Sequence, residues 1–344
     1  VWKLFRSRNQ LMKAYPDNIK QIGFYAALDE TSPYTSRFAG LGSLAYWIIG
    51  MFGTRRPRVL STEHIEREEP AIDTSNALGG IEYYDGILVD NDARFVFSFI
   101  RAAIDAGAAA ANYVEMVSAE RAGGQWTVAL RDVDTGETFT TTARTIVNAA
   151  GTFVDEVNQQ WGLTTDHRIV YSKGIHLVVP RLTTTEHHKV LAFFDDSQRL
   201  FYVIPMGRRS VIGTTDTRVD TPFTEVTDDD IDFLLGQINA RMKLRAPLTR
   251  ADIIAERCGV RPLVVKRRSG DHSDVDWTKL SRKHAIESDR SRGVVTVFGG
   301  KLTDCINVGN EVSDIVAACG VALPHRAYRW YGEPHRSVYE EYMH

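Results

Sequence analysis

Twice in this sequence an apolar, strand-like run ends in small residues and leads straight into a helical pattern. These two junctions constrain the fold more than any other feature. The first is Thr145-Ile-Val-Asn-Ala-Ala-Gly151, followed by a helix-like stretch to Trp161. The second is the strand Gly293–Phe298, which passes through Gly299-Gly300-Lys301-Leu302-Thr303 into a helix carrying Ile306, Val312, Ile315, Val316 and Cys319, stopped by Gly320. A strand entering a helix through alanine or glycine lets its backbone approach a nucleotide or another helix closely. No GxGxxG turn occurs anywhere, so a complete Rossmann unit is not encoded.

Between the junctions the pattern changes. Ile175–Val179, Val190–Phe194, Leu200–Pro205 and Ser210–Thr214 read as short strands, with Met206-Gly-Arg-Arg209 as a hairpin joint. They predict an antiparallel sheet forming a separate layer. A helix is expected from Thr227, with Asp228, Asp229 and Asp230 in the first turn and a stripe of Ile231, Leu234, Leu235 and Ile238. Upstream, Asn91 or Asp92 caps a helix carrying Phe95, Val96, Phe99, Ile100 and Ile104, closed by Gly107. Strands Asn112–Ser118, Gln125–Arg131 and Thr138–Thr142 follow, joined at Gly123-Gly124 and Asp134-Thr135-Gly136. The fold class is α/β with an antiparallel insertion, and 344 residues suffice for two domains.

A net charge of -3 gives no reason to expect a nucleic-acid partner. Three cysteines, Cys258, Cys305 and Cys319, form no metal-ligand spacing. They fit a reducing cytosol as small buried apolar groups. The apolar run Leu41–Phe52 falls short of the about 20 residues that cross a bilayer. It reads as a buried helix or loop, or as a membrane-surface contact helped by Arg55, Arg56 and Arg58.

Chemistry concentrates in three places. Gly299, Gly300 and Lys301 offer backbone N–H groups and a cation at a helix N-terminus, which suits an anion; a plain strand-to-helix turn is the alternative. Arg261, in Cys-Gly-Val-Arg-Pro-Leu, lies among apolar neighbours and needs a carboxylate or phosphate partner, bound or structural. His176, in Lys173-Gly174-Ile175-His176, is either a proton acceptor or a hydrogen-bonded core residue. Arg282 and His284 are weak signals alone, and Lys266-Arg267-Arg268 reads as a solvated loop.

Together these pieces resemble the FAD-dependent glycerol-3-phosphate dehydrogenases, within the D-amino-acid-oxidase-like flavoenzymes. The matching segments are EYYDGILVDNDARFV (82–96), VNAAGTFVDEV (147–157), SKGIHLVVPR (172–181), FYVIPMGRRSVIGTTDT (201–217), GVRPL (259–263) and FGGKLT (298–303). KGIHLVVPR followed by IGTTDT selects the glycerol-phosphate branch. The resemblance implies FAD as cofactor, with Gly151 near the nucleotide and Gly299, Gly300, Lys301, Leu302 and Thr303 along the flavin. It implies His176 and Arg261 as catalytic residues, with Arg282 and Lys301 on the substrate's phosphate. The implied reaction converts sn-glycerol 3-phosphate to dihydroxyacetone phosphate and passes electrons to a quinone. The implied location is the cytoplasm, free or peripheral on the inner face of the cytoplasmic membrane.

The resemblance also sets out a domain plan. Residues 1–170 are expected to be a partial FAD-binding region, 171–285 the antiparallel substrate region, 286–322 the returning strand and helix, and 323–344 the start of a C-terminal region. The expected architecture is an incomplete FAD-binding Rossmann-like domain with an antiparallel-sheet substrate domain. The family's N-terminal βαβ unit and most of its C-terminal domain are expected to lie outside this chain, which by itself is then expected to hold FAD poorly. Where the family continues KLT with Thr-Tyr-Arg, this sequence has Asp304-Cys305-Ile306. A related flavoenzyme acting on an amino or hydroxy acid, and an inactive fragment without FAD, are the competing readings.

Overall fold

The computed structural model describes residues 2–183, 189–213, 215–267, 283–324 and 326–333. Arg268 and Arg282 lie outside the described residues. The chain runs α1 (Trp2–Ala14), β1 (Ile19–Asp29), α2 (Ser36–Ile49), β2 (Arg58–Leu60), α3 (Thr62–Glu68), β3 (Ala77–Leu88) and α4 (Asp92–Asp105). It continues through β4 (Val114–Ala122), β5 (Gln125–Asp132), β6 (Thr138–Ala143), β7 (Ile146–Asn148), α5 (Val154–Gln160), β8 (His167–Pro180), β9 (Lys189–Phe194), β10 (Leu200–Met206) and β11 (Arg209–Gly213). Last come β12 (Thr217–Val219), α6 (Asp228–Asn239), β13 (Ala255–Lys266), β14 (Ala285–Asp289), β15 (Val294–Phe298) and α7 (Cys305–Ala318).

Two compact units divide the chain, and each is discontinuous in sequence. The first comprises 1–12, 19–87 and 172–260; the second comprises 13–18, 88–171 and 261–344. The division falls inside β8 and inside β13. Residues 19–87 thus share a unit with 172–260.

The first unit is built on a sheet ordered β12-β8-β11-β10-β9-β1-β3-β2, with β13 also pairing β8. The hairpin read at Met206–Arg209 is present, with Met206 opposite Arg209 and Gly207 at φ +58°. The pairs β11–β8 and β10–β9 are antiparallel as expected, but β1 joins β9 in parallel, so the sheet is mixed. Tyr25, Leu191, Phe201, Val203 and Ile212 form its buried core with Ile65, Ile72 and Ile238. α6 starts with a capping box in which Thr227 and Asp230 bond each other's backbone N–H. Its Ile231, Leu234 and Leu235 pack on Ile175 and Leu177 of β8.

A charge cluster sits at the sheet's β2–β3–β9 side. Lys189 lies 2.7 Å from Glu68, and Arg58 bonds both Glu68 and the buried Glu82. Partial burial acts to raise the Glu68 carboxyl, and Lys189, with Arg58, outweighs it to hold it at about 2. A depressed carboxyl contributes stability above its unfolded value of about 4.3, and the contribution disappears as pH falls through about 2. Urea midpoints are therefore expected to fall between pH 5 and pH 3 (both about), more steeply than in Lys189→Met. Equal slopes in the two proteins would remove this pair as the cause.

Two expectations need correction. Leu41–Phe52 is not a buried element: α2 buries only Ser43, while Phe38, Leu41, Ile48, Ile49 and Phe52 stand exposed. The apolar character of this stretch is spread around the helix instead of forming an inward stripe. Cys258 is also exposed, because the leading end of β13 is open to solvent. Among the described residues no helix is long and apolar enough to cross a membrane.

In the second unit β4, β5 and β6 form an antiparallel sheet with the expected turns. A second sheet, β14-β15-β7, holds both strand-to-helix junctions. β7 and β15 run parallel, Ile146 opposite Val294 and Asn148 opposite Thr296. Both therefore deliver their glycine turns to the same edge.

Candidate functional site

That edge is the candidate ligand site. In sheets with parallel strands, ligands bind outside the strands' carboxyl ends, where helix N-termini and turn N–H groups face out. β7 ends in Asn148-Ala-Ala-Gly151, with Gly151 at φ +60° and open space where a side chain would stand. The turn is shaped from below by buried Asn148. Its Nδ2 donates to Val154 O at 2.8 Å and Asn158 Oδ1 at 2.9 Å, and its Oδ1 accepts from Ala150 N. Thr296 of β15 donates to the same Asn158 oxygen, so one polar knot ties β7, β15 and α5. Sequence reading missed this role, although an asparagine closing an apolar strand was its visible signal.

β15 ends at the second turn. Gly299 has φ +58°, and a Cβ there would overlap Val264 Cγ2 and stand 3.2 Å from Pro262 O. Only glycine lets this backbone lie so close to β13. The structure thus brings together Gly299, Gly300, Lys301, Leu302 and Thr303 with the β13 segment that carries Arg261. Lys301 is exposed and Arg261 half-buried. At Cys305, where the helix begins, burial pushes the thiol up to about 11, which disfavours the reactive thiolate.

His176 belongs to the first unit. Its neighbours Ile175 and Leu177 face α6, so strand alternation turns His176 to the other face of the sheet. Across the ladder stands Gly213, which has φ +153°. A Cβ on Gly213 would come within 2.7 Å of His176 Cδ2 and 2.6 Å of Ile175 O. The imidazole therefore lies over a position that must be glycine. The rest of IGTTDT locks the same strand: Thr215 Oγ1 accepts from Ile175 N at 3.0 Å, and Ser172 donates to Asp216. This is the physical link between the KGIH and IGTTDT segments. Lys173 is structural, paired with Asp230 at 2.5 Å and buried.

Gly213→Ala is expected to cost about 1–3 kcal/mol of stability by overpacking and to move the His176 ring resonances in NMR. Unchanged stability and ring shifts would show that the imidazole does not rest on Gly213.

Comparison with known proteins gives the class. Residues 20–306 match the family described as FAD dependent oxidoreductase, and the chain belongs to that family. It is 31% identical over 253 residues to a mitochondrial glycerol-3-phosphate dehydrogenase of Macaca fascicularis, covering 71% of this chain and 34% of that protein. It is 34% identical over 240 residues to glycerol-3-phosphate dehydrogenase 2 of Mycobacterium tuberculosis, covering 69% of this chain and 39% of that protein. The chain thus spans little more than a third of the curated relatives it matches. In structure it resembles the Bacillus halodurans glycerol-3-phosphate dehydrogenase complexed with FAD, with TM-score 0.72 and 23% identity, covering 93% of this chain and 56% of that one. L-alpha-glycerophosphate oxidase from Mycoplasma pneumoniae matches with TM-score 0.62 and 14% identity, covering 97% and 82%. These likenesses establish the fold. The glycine turns at a parallel edge suit the cofactor of the family, because no side chain fills the space at Gly151.

Proposed function

We propose that this chain carries the substrate-side chemistry of an FAD-dependent oxidation of sn-glycerol 3-phosphate to dihydroxyacetone phosphate. The observation that carries the reading is the coupling of KGIH to IGTTDT across one ladder, in a chain whose curated relatives are glycerol-3-phosphate dehydrogenases. Gly151 and the Gly299–Thr303 turn would hold the FAD, which when bound takes up the hydride lost from C2. His176 accepts the proton of the C2 hydroxyl. Arg261 orients that hydroxyl with its two-donor face, and Lys301 supplies charge for the anion. Arg282 serves as a further phosphate contact by resemblance. Once the substrate has lost hydride and proton, C2 is a carbonyl and the electrons leave for a quinone.

A quinone is a membrane-borne acceptor, and the exposed face of α2 supports a peripheral contact on the inner face of the cytoplasmic membrane. Phe38 and Leu41 are 62% and 67% exposed, and the exposed Arg37 and Arg56 line a hollow together with Leu41. Apolar side chains rimmed by arginines suit an interface of anionic headgroups. Arg58 contributes nothing there, being engaged by Glu82 and Glu68.

The test is dye-linked turnover of the FAD-loaded protein on glycerol 3-phosphate, against glycine, proline and lactate. Reduction with glycerol 3-phosphate alone supports the reading. Turnover confined to an amino or hydroxy acid would replace it with the competing one, for which a single arginine clamp on one carboxylate suffices.

A further inference from the structure

Three titratable side chains form a chain of their own at the Gly299–Thr303 turn. His284 Nδ1 lies 2.6 Å from Asp304 Oδ2, and its Nε2 lies 3.1 Å from Glu311 Oε2. The other Asp304 oxygen accepts from Asn307 Nδ2 at 2.6 Å. The side chains pass from interior to solvent, with exposures of 7% for Asp304, 16% for His284 and 51% for Glu311. Three elements are joined in this way: the residue preceding β14, the turn itself and the second turn of α7. The His284 Cβ also stands 3.3 Å from where a Cβ on Gly300 would be, so the stem of the imidazole rests against the turn's backbone.

An ionised carboxylate only accepts, and a neutral imidazole donates from one nitrogen alone. With both carboxyls ionised, both contacts are hydrogen bonds only when the ring carries both protons, and each is then charge-assisted. Among the described residues, the other charged groups on the surrounding elements are Lys283 beside it in sequence, Lys301 in the turn, Asp314 on α7, which pairs with Arg326, and, on β14, Glu287, which pairs with His167, and Asp289, which bonds Ser291 and the Arg292 N–H. Asp304 is the first residue of the Asp-Cys-Ile stretch in which this sequence departs from the family pattern. Its partner, 20 residues away, is a histidine that signals nothing in sequence.

We propose that His284, as an imidazolium held between Asp304 and Glu311, is a positioning residue that latches the Gly299–Thr303 turn in the conformation presented to the cofactor. The proposal rests on the reading of that turn as flavin-facing. With the latch closed, the turn's backbone N–H groups and Lys301 are fixed relative to β13 and α7. With the ring removed, Asn307 is the side-chain partner left to Asp304 among the described residues, and the turn is free to fray.

The experiment uses the full chain with three readouts: hydrogen exchange of amides 299–305, fluorescence titration with FAD, and NMR of the protein labelled with 15N at histidine. In His284→Phe the exchange of this segment is expected to quicken about tenfold, with FAD retention weakened by a similar factor. Glu311→Gln, a surface change that leaves the inner bond and the fold intact, is expected to change both by less than about threefold. The His284 ring in the wild-type chain is expected to show two protonated nitrogens, and Asp304→Asn to reduce this to one. A neutral ring in the wild-type chain, or unchanged exchange in His284→Phe, overturns the proposal. Faster exchange with unaltered FAD affinity also overturns it as a positioning device for the cofactor. Faster exchange while amides 299–305 of the wild-type chain do not respond to FAD, even at the highest soluble concentration, supports the latch and sinks the flavin reading instead.

Discussion

Replacing His176 by glutamine is expected to lower kcat of the FAD-loaded protein on glycerol 3-phosphate by about 10²–10⁴, the range a positioned general base supplies. KM should move far less if, as proposed, the imidazole takes a proton and does not hold the phosphate. The structure holds this histidine on a fixed strand. Ile175 and Leu177 on either side are fully buried against α6, which fixes the strand. Thr215 holds the Ile175 N–H, and Gly213 clears the space over which the ring lies. Anaerobic mixing with substrate, followed by flavin absorbance, reads the chemical step directly. Adding Gly213→Ala to the His176→Gln protein should cost less rate than the same change costs the parent, since part of its effect acts through the His176 ring. A His176→Gln protein within about threefold of the parent rate would make His176 a core residue without part in proton transfer.

The parts of this fold that could be read from sequence are those whose cause is local. The Thr227 capping box, the Asn91 cap and the Met206–Arg209 hairpin all formed as expected, because each rests on residues within about four positions. β1 and β3 gave no signal. β1 is buried on both faces along most of its length, so its pattern shows no alternation, and its parallel partner β9 lies more than 160 residues on. The α2 stretch misled for the opposite reason: apolar composition was read as burial, yet its apolar side chains are spread around the helix, and Phe38, Leu41, Ile48 and Ile49 stay exposed. The candidate site divides in the same way. The paired glycines announced the turn at Phe298–Thr303, but the duty of Lys173 came from Asp230, 57 residues away. Gly213 looked like part of a motif with no stated cause until its strand was set beside His176.

Arg261→Lys is expected to be the second largest loss, although it keeps the charge. Arg261 lies in β13, followed by Pro262, which restricts its backbone. The carbonyl of Pro262 lies against Gly299, so the strand is held close to the glycine turn that bears Lys301. From a fixed, half-buried stem, a guanidinium presents two parallel N–H groups, whereas an ammonium on a flexible chain offers a point charge that solvent competes for. Losing one charge-assisted hydrogen bond of about 1.5–3 kcal/mol lowers kcat/KM by about 10- to 100-fold. The split between constants identifies the role. A fall in kcat at constant KM means that the fork acts on the reacting hydroxyl, while a rise in KM alone means that it holds the anion. Lys301→Met, measured beside it, should raise KM for a phosphate-bearing substrate more than for a carboxylate of similar size, because a dianion needs more cationic donors. If Arg261→Lys turned over with both constants unchanged while its melting temperature dropped, Arg261 would be a structural ion-pair partner. The catalytic assignment would then pass to other residues at the turn.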